Sequence, residues 1–467
     1  MNRRLPVLVA LVASLVGAGF LASDHPSVSS SGTFAVLHSP TTPYVPLTDR
    51  LTSTFYCAGV PAAADGRGGD VIVVNPTDTA KSGAVTAFGI NGPAGRQDFE
   101  IAPRSSWTYD LGGLAPEGYV ESIVEMRGSG VVVEQRAQVD ATTTVAPCGA
   151  DASDHWILAA GSTLGDKYDL VLSNPFPDAA VVDLRFVTAS DTRSPNEFQN
   201  YVIPAQSVRS IAVDQVARDE AQLTIDVTSR RGRLVVGRAQ QFGGEGRDGA
   251  SVSLAAPAAG HQWLFADGEL SDQIPESYTI FNPGDQAASV DVTFFPLTPP
   301  SDQVVAPVSV EVPAGRAVAL ASSSFGLPFS GRYGVSVAAA GDATIVVEQT
   351  ITRGSSGTSM VLGARFGSGR WWAPSGVPGA TSGALVVFNA SGLSGTVSVS
   401  ALGPGGVKAL PGLDQVPLAA ASLVTIDIPA EAAGAPLLVQ SADLSLVVEQ
   451  RNAGGAGRRT GALGIPE

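Results

Sequence analysis

Residues Trp263 to Phe294 read WLFADGELSDQIPESYTIFNPGDQAASVDVTF, and the parsing of this stretch decides the fold. A Trp opens it and a Gly follows at Gly268; an alternating apolar run, Tyr278 and Ile280, then closes on Asn282. A second run follows at Val290, Val292 and Phe294. Apolar residues two apart line one face of a strand, so the two runs are strands joined by a turn. Weaker copies of the stretch begin at Thr54, Trp156 and Trp371. In each copy a Gly (Gly59, Gly161, Gly268, Gly376) precedes an Asn (Asn75, Asn174, Asn282, Asn389) by 13 to 16 residues.

Successive Asn positions lie 99, 108 and 107 residues apart. That period exceeds the roughly 20–50 residues of solenoid repeats and propeller blades, which predicts that each repeat is a domain. Pro follows the Asn in three copies (Pro76, Pro175, Pro283), and Ala390 stands there in the fourth. Pro deletes a ladder donor and drives the preceding residue out of the helical region, while an Asn amide bonds nearby backbone. The four Asn are therefore read as turn formers and not as ligand contacts.

Later in each repeat comes a further turn: Ile101 to Ser105, Ile203 to Ser207, Val312 to Arg316 and, more loosely, Val416 to Leu418. Each repeat then ends on a β-branched run, as in Val131-Val132-Val133-Glu134-Gln135 and Ile345-Val346-Val347-Glu348-Gln349. Consecutive apolar residues suit a strand covered on both faces. The Glu-Gln pair returns at Glu449-Gln450 and is replaced by Gly237-Arg238, so it reads as cross-strand hydrogen bonding or a junction between repeats. Stretches rich in Gly and Ala, 243–260 and 354–369, read as linkers.

Six or seven strands per hundred residues is the density of an immunoglobulin-like sandwich. The expected fold is all-β: four tandem immunoglobulin-like β-sandwich modules at 51–150, 151–256, 257–366 and 367–467. An N-terminal apolar segment (1–23) and a linker (24–50) precede them. The Trp at 156, 263 and 371 should pack at the end of its module, with Thr54 as the departure in the first.

The 467-residue chain has a formal charge of −15. Such a surface repels phosphate backbones and anionic lipid, which excludes nucleic-acid binding and a polybasic membrane patch. Arg3 and Arg4 precede an uncharged run from Leu5 to Ala22, the form of an export signal or signal anchor. The body is expected outside the cytoplasm, tethered by residues 5–22 or secreted after cleavage, with no other membrane contact. Both cysteines, Cys57 and Cys148, flank the first module, which in that compartment implies a disulfide.

The order Trp263 to Gly268 (Trp-x-Phe-Ala-x-Gly), Asn282 to Asp285 (Asn-Pro-Gly-Asp), Val312 to Ala314 (Val-Pro-Ala) and Val346 to Gln349 (Val-Val-Glu-Gln) resembles a repeat in an uncharacterised family of secreted or membrane-anchored actinobacterial proteins. The resemblance implies a cell-envelope setting and β-sandwich repeats, and it brings no catalytic residues.

The four His (His25, His38, His155, His261) make no zinc spacing, and no nucleophile elbow, phosphate loop or dinucleotide fingerprint occurs. Asp65 to Asp70 lacks the alternating carboxylates of a calcium loop and reads as a turn. No catalytic, metal or cofactor residues are assigned, and no cofactor is expected. The doublet Trp371-Trp372 offers one binding candidate: neighbours on a strand face opposite ways, so Trp372 should turn from its own core, either to solvent or onto the preceding module. The expected function is a non-catalytic envelope scaffold contacting envelope proteins. The alternative is a cell-wall polysaccharide binder assisting glycan assembly, with a glycan-active enzyme as the remote third.

Overall fold

The structure, a computed structural model, describes residues 44–45, 50–62, 67–298, 305–354, 357–374, 382–403, 405–453 and 459–467. Residues 1–39, with the apolar segment, His25 and His38, lie outside the described residues, as do Asp65 and Gly66. Among the described residues the strands form eight antiparallel sheets of four to six strands, two from each repeat. In the second repeat one sheet joins strands His155–Leu158, Leu223–Arg231, Ala180–Thr188 and Thr192–Arg193. Its partner joins Ser207–Ala212, Lys167–Asn174, Val235–Phe242 and Gly249–Leu254.

The expectation of four tandem immunoglobulin-like sandwiches is corrected here: the sheets are the eight blades of a β-propeller. A free sandwich leaves two outer faces in water, whereas these sheets bury both. Along Lys167–Asn174, Leu170 and Leu172 join the core of their own repeat, while Val171 between them joins the core of the first repeat. Likewise Ile157 and Ala159 face the third repeat, and Leu264 and Ala266 the fourth. The circle closes where Trp372, Leu402, Leu438 and Ile465 of the last repeat pack on Ile72, Val74 and Val132 of the first. There the Val45 N–H also donates to the Pro466 carbonyl at 2.9 Å. The hundred-residue period is thus two blades per repeat.

The supposed linkers are corrected too. Within 243–260 and 354–369 lie strands Gly249–Leu254 and Thr358–Leu362, which with Thr142–Pro147 and Arg459–Leu463 are the innermost strands of four blades. They meet at the axis: Ser251 Oγ donates to the Met360 carbonyl at 3.2 Å, and the Gly461 N–H to Ser359 Oγ at 2.9 Å. Small residues there read as a linker because a crowded axis and a loose connection select the same composition.

The turn reading of the Asn holds at all four positions. Each side-chain amide donates to the carbonyl four residues on, at 2.7–2.8 Å, and to the carbonyl opening the later turn (Ala102, Pro204, Pro313, Ala419). Each Oδ1 accepts the N–H two residues on. The Trp position of the first repeat belongs to Phe55 and not Thr54: Phe55 pairs Val124 as Trp156, Trp263 and Trp371 pair Val227, Val337 and Val439. All three indoles are buried and donate to the carbonyl that opens the last β-branched run: Leu234, Ile345 and Leu446. Cys57 and Cys148, 91 positions apart, form a disulfide across the first repeat.

Candidate functional site

Among the described residues, polar groups or space gather at several places. The first is the set of junctions between repeats, where the Glu-Gln pair sits. Glu348 accepts the Ala160 N–H of the second repeat and pairs with Arg238 through two contacts of 2.9 Å, both side chains being fully buried. Arg238 also donates to the Ala160 carbonyl. One repeat further on, Glu449 accepts the Ala266 N–H at 2.7 Å, and burial pushes its carboxyl up to about 7. In the second repeat the Glu is Gly237, and there a Cβ would strike Ala58 of the first repeat. The junction reading of the pair is therefore what these contacts show, and the Gly marks a place where two repeats come too close for a side chain.

Beside the last junction lies a buried nest around Glu276. Its carboxylate receives Tyr278 Oη at 2.7 Å, Gln349 Nε2 at 2.5 Å, Ser322 Oγ at 3.1 Å, the Glu269 N–H at 3.2 Å and the Tyr333 hydroxyl. Burial raises the carboxyl, and the hydroxyl and amide donors pull it back. Asp267 pairs with Arg353 at 3.1 Å and with Arg451. Five donors fill the carboxylate's lone pairs, so Glu276 has no acceptor capacity to offer a substrate.

The second place is the axis, where Val145, Trp156, Val252, Leu254, Val361 and Ala462 are among the residues around an apolar cavity of about 60 Å³. The third is a polar groove of about 390 Å³ on the fourth repeat, lined by Arg370, Thr396, Ser398, Asp414, Gln440 and Ser441. Small-ligand sites occupy roughly 300–1,000 Å³, so size favours the groove over the axial cavity.

Neighbouring strands build the groove. Arg370 opens Arg370–Ala373, Thr396 and Ser398 lie on Gly395–Gly403, and Gln440 ends Leu437–Gln440, which pairs with both. Arg370 is held by Glu467 at 3.0 Å and donates to Gln440 Oε1 at 2.9 Å. That leaves the Gln440 Nε2 to donate elsewhere.

Trp372, the candidate platform, is 1 % exposed and packs in the seam with the first repeat, its indole donating to Glu467 at 3.1 Å. It presents no face to solvent, and the module it packs on is the first and not the preceding one. Of the groove residues, sequence reasoning singled out none: they come from four separate segments with no shared spacing. His155 meets Asp226 at 2.6 Å, which Arg185 also contacts, while His261 stands apart from them on the third repeat. Among the described residues no three His, Cys, Asp or Glu converge as a metal site. Among them, too, no helix is long and apolar enough to cross a membrane.

The model of a family of unknown function (DUF5719) matches residues 140–364, the second and third repeats with the end of the first. Among curated proteins none matches the chain. A solved structure described as "Crystal Structure of Thermotoga maritima 1070" is 20% identical, with a TM-score of 0.20, and the alignment covers 22% of this chain and 93% of that one.

Proposed function

We propose that the protein is a non-catalytic extracytoplasmic scaffold of the cell envelope that contacts envelope proteins. The disulfide indicates an oxidising, extracytoplasmic compartment. The finer placement, tethered through residues 5–22 or released after cleavage, is part of the proposal. The observation that supports a scaffold most is the use made of the buried charges. Arg238, Glu348, Glu449, Asp267 and Arg451 are consumed in joining one repeat to the next, a use that supports a scaffold role over a chemical one.

The test uses the purified exported chain. Incubated with a solubilised envelope protein fraction, it should elute in a stoichiometric complex with a defined envelope protein. It should also leave purified wall polysaccharide unaltered in chain length and linkage. Hydrolysis of that polysaccharide, or group transfer onto it, would overturn the proposal. A second reading, a polysaccharide binder, draws on the groove of the fourth repeat.

A further inference from the structure

The groove on the fourth repeat holds one guanidinium, one carboxylate, one amide and three hydroxyls. Its charges are not symmetric in availability. Arg370 is already neutralised by Glu467, while the exposed Asp414 carboxylate forms no ion pair or hydrogen bond among the described residues. An anionic ligand would meet an uncompensated carboxylate and a cation already taken, so phosphates and uronic acids are disfavoured. A single carboxylate is too few oxygens to hold a divalent cation. An apolar ligand would bury these polar groups without partners, at a penalty for each.

What remains is a neutral ligand that both donates and accepts hydrogen bonds at closely spaced atoms, which is the surface of a sugar ring. Asp414 can accept from hydroxyls, Gln440 Nε2 can donate, and the Thr396 hydroxyl can do both. Ser441 Oγ donates to the Thr396 carbonyl at 2.8 Å, which points its proton at the sheet and leaves its lone pairs to accept, while Ser398 Oγ, 3.5 Å from the Gln440 carbonyl, can turn to donate or accept. Four of the six side chains (Arg370, Thr396, Ser398 and Gln440) stand on paired strands, so their relative positions are set before any ligand arrives.

We propose that this groove, lined by Arg370, Thr396, Ser398, Asp414, Gln440 and Ser441, binds a neutral oligosaccharide. This rests on the polysaccharide-binding reading and names its site. Among the described residues no aromatic ring lines the groove, so recognition is by hydrogen bonds to hydroxyls, with the modest affinity and the discrimination between epimers that such contacts give.

The purified exported chain is applied to an array of neutral glucans, galactans, mannans and arabinans, and the best-retained glycan is titrated by calorimetry. Asp414→Ala and Gln440→Ala each weaken binding at least tenfold while the melting temperature stays within a degree of the parent, because both side chains sit at the solvent boundary. Retention of a glycan with both variants unchanged would remove the groove and leave the polysaccharide reading standing. No retention on any neutral glycan would remove both. Binding confined to acidic glycans and lost with added salt would also overturn the proposal, since it would mark Arg370 as an ion-pairing site.

Discussion

Glu121 stands in the interior with neither carboxyl oxygen hydrogen-bonded among the described residues. Burial pushes its carboxyl up to about 8, and the Ser173 hydroxyl of the next repeat, near but not bonded, offsets little of this. The group therefore keeps its proton in the folded chain at pH values where the unfolded chain has lost it. Folded protein binds the extra proton between about 4.5 and about 8, so stability from this group is full below pH 4.5, falls as pH rises through that window, and is level above it. A shift of this size corresponds to a ceiling of about 5 kcal/mol. Glu121→Gln should flatten that part of the profile, so that urea midpoints at pH 5 and pH 8.5 lie closer together than in the parent. Equal pH dependence in the two proteins would mean that Glu121 is hydrated or partnered. The Asn and Trp positions are the residues most legible in the sequence, because each acts on backbone within reach of its own repeat. Glu121 was not legible, since its isolation comes from the second repeat closing over it.

At the scale of elements, the turn that each Asn clamps places its third residue at positive φ in all four repeats: Arg104 (54°), Gln206 (50°), Gly315 (63°) and Ala421 (48°). Only the third repeat uses the residue that tolerates this. A side chain at left-handed φ costs roughly 1–2 kcal/mol, and glycine gives back about 0.5–1 in unfolded-chain entropy. Ala421→Gly should therefore stabilise the chain by about 0.5–1 kcal/mol, read as a raised melting temperature. A lowered one would show that the Ala421 methyl makes a contact worth more than the strain. Arginines at or just after two of these turns reach the preceding repeat: Arg209, on strand Ser207–Ala212, donates to the Ile90 carbonyl at 2.7 Å and Arg316 to that of Ala189 at 2.9 Å. The hairpins were readable from alternation and turn chemistry. These bridges were not, because their acceptors are carbonyls, which every residue carries.

The whole molecule depends on a seam where its first and last repeats meet. Trp372 is the largest side chain in it, and Trp372→Ala should cost about 3–5 kcal/mol through lost burial and the cavity left behind. If the circle is held shut there, the variant's radius of gyration in solution scattering should rise and its denaturation midpoint fall. An unchanged scattering profile and midpoint would show that closure does not rest on this residue. The sequence by itself determined that the chain is all-β, that it repeats four times, where its strands turn and that its cysteines pair, because those features follow from periodicity two, local backbone bonding and compartment. It even carried the sign of two-faced burial in Val131-Val132-Val133, since consecutive apolar residues need cover on both sides. Only the tertiary structure decided what the cover is. One alternating pattern suits a sheet facing its own repeat or its neighbour's. The choice between separate sandwiches and a closed ring of blades lies in contacts hundreds of residues apart, as does the gathering of Arg370, Asp414 and Gln440 into one groove.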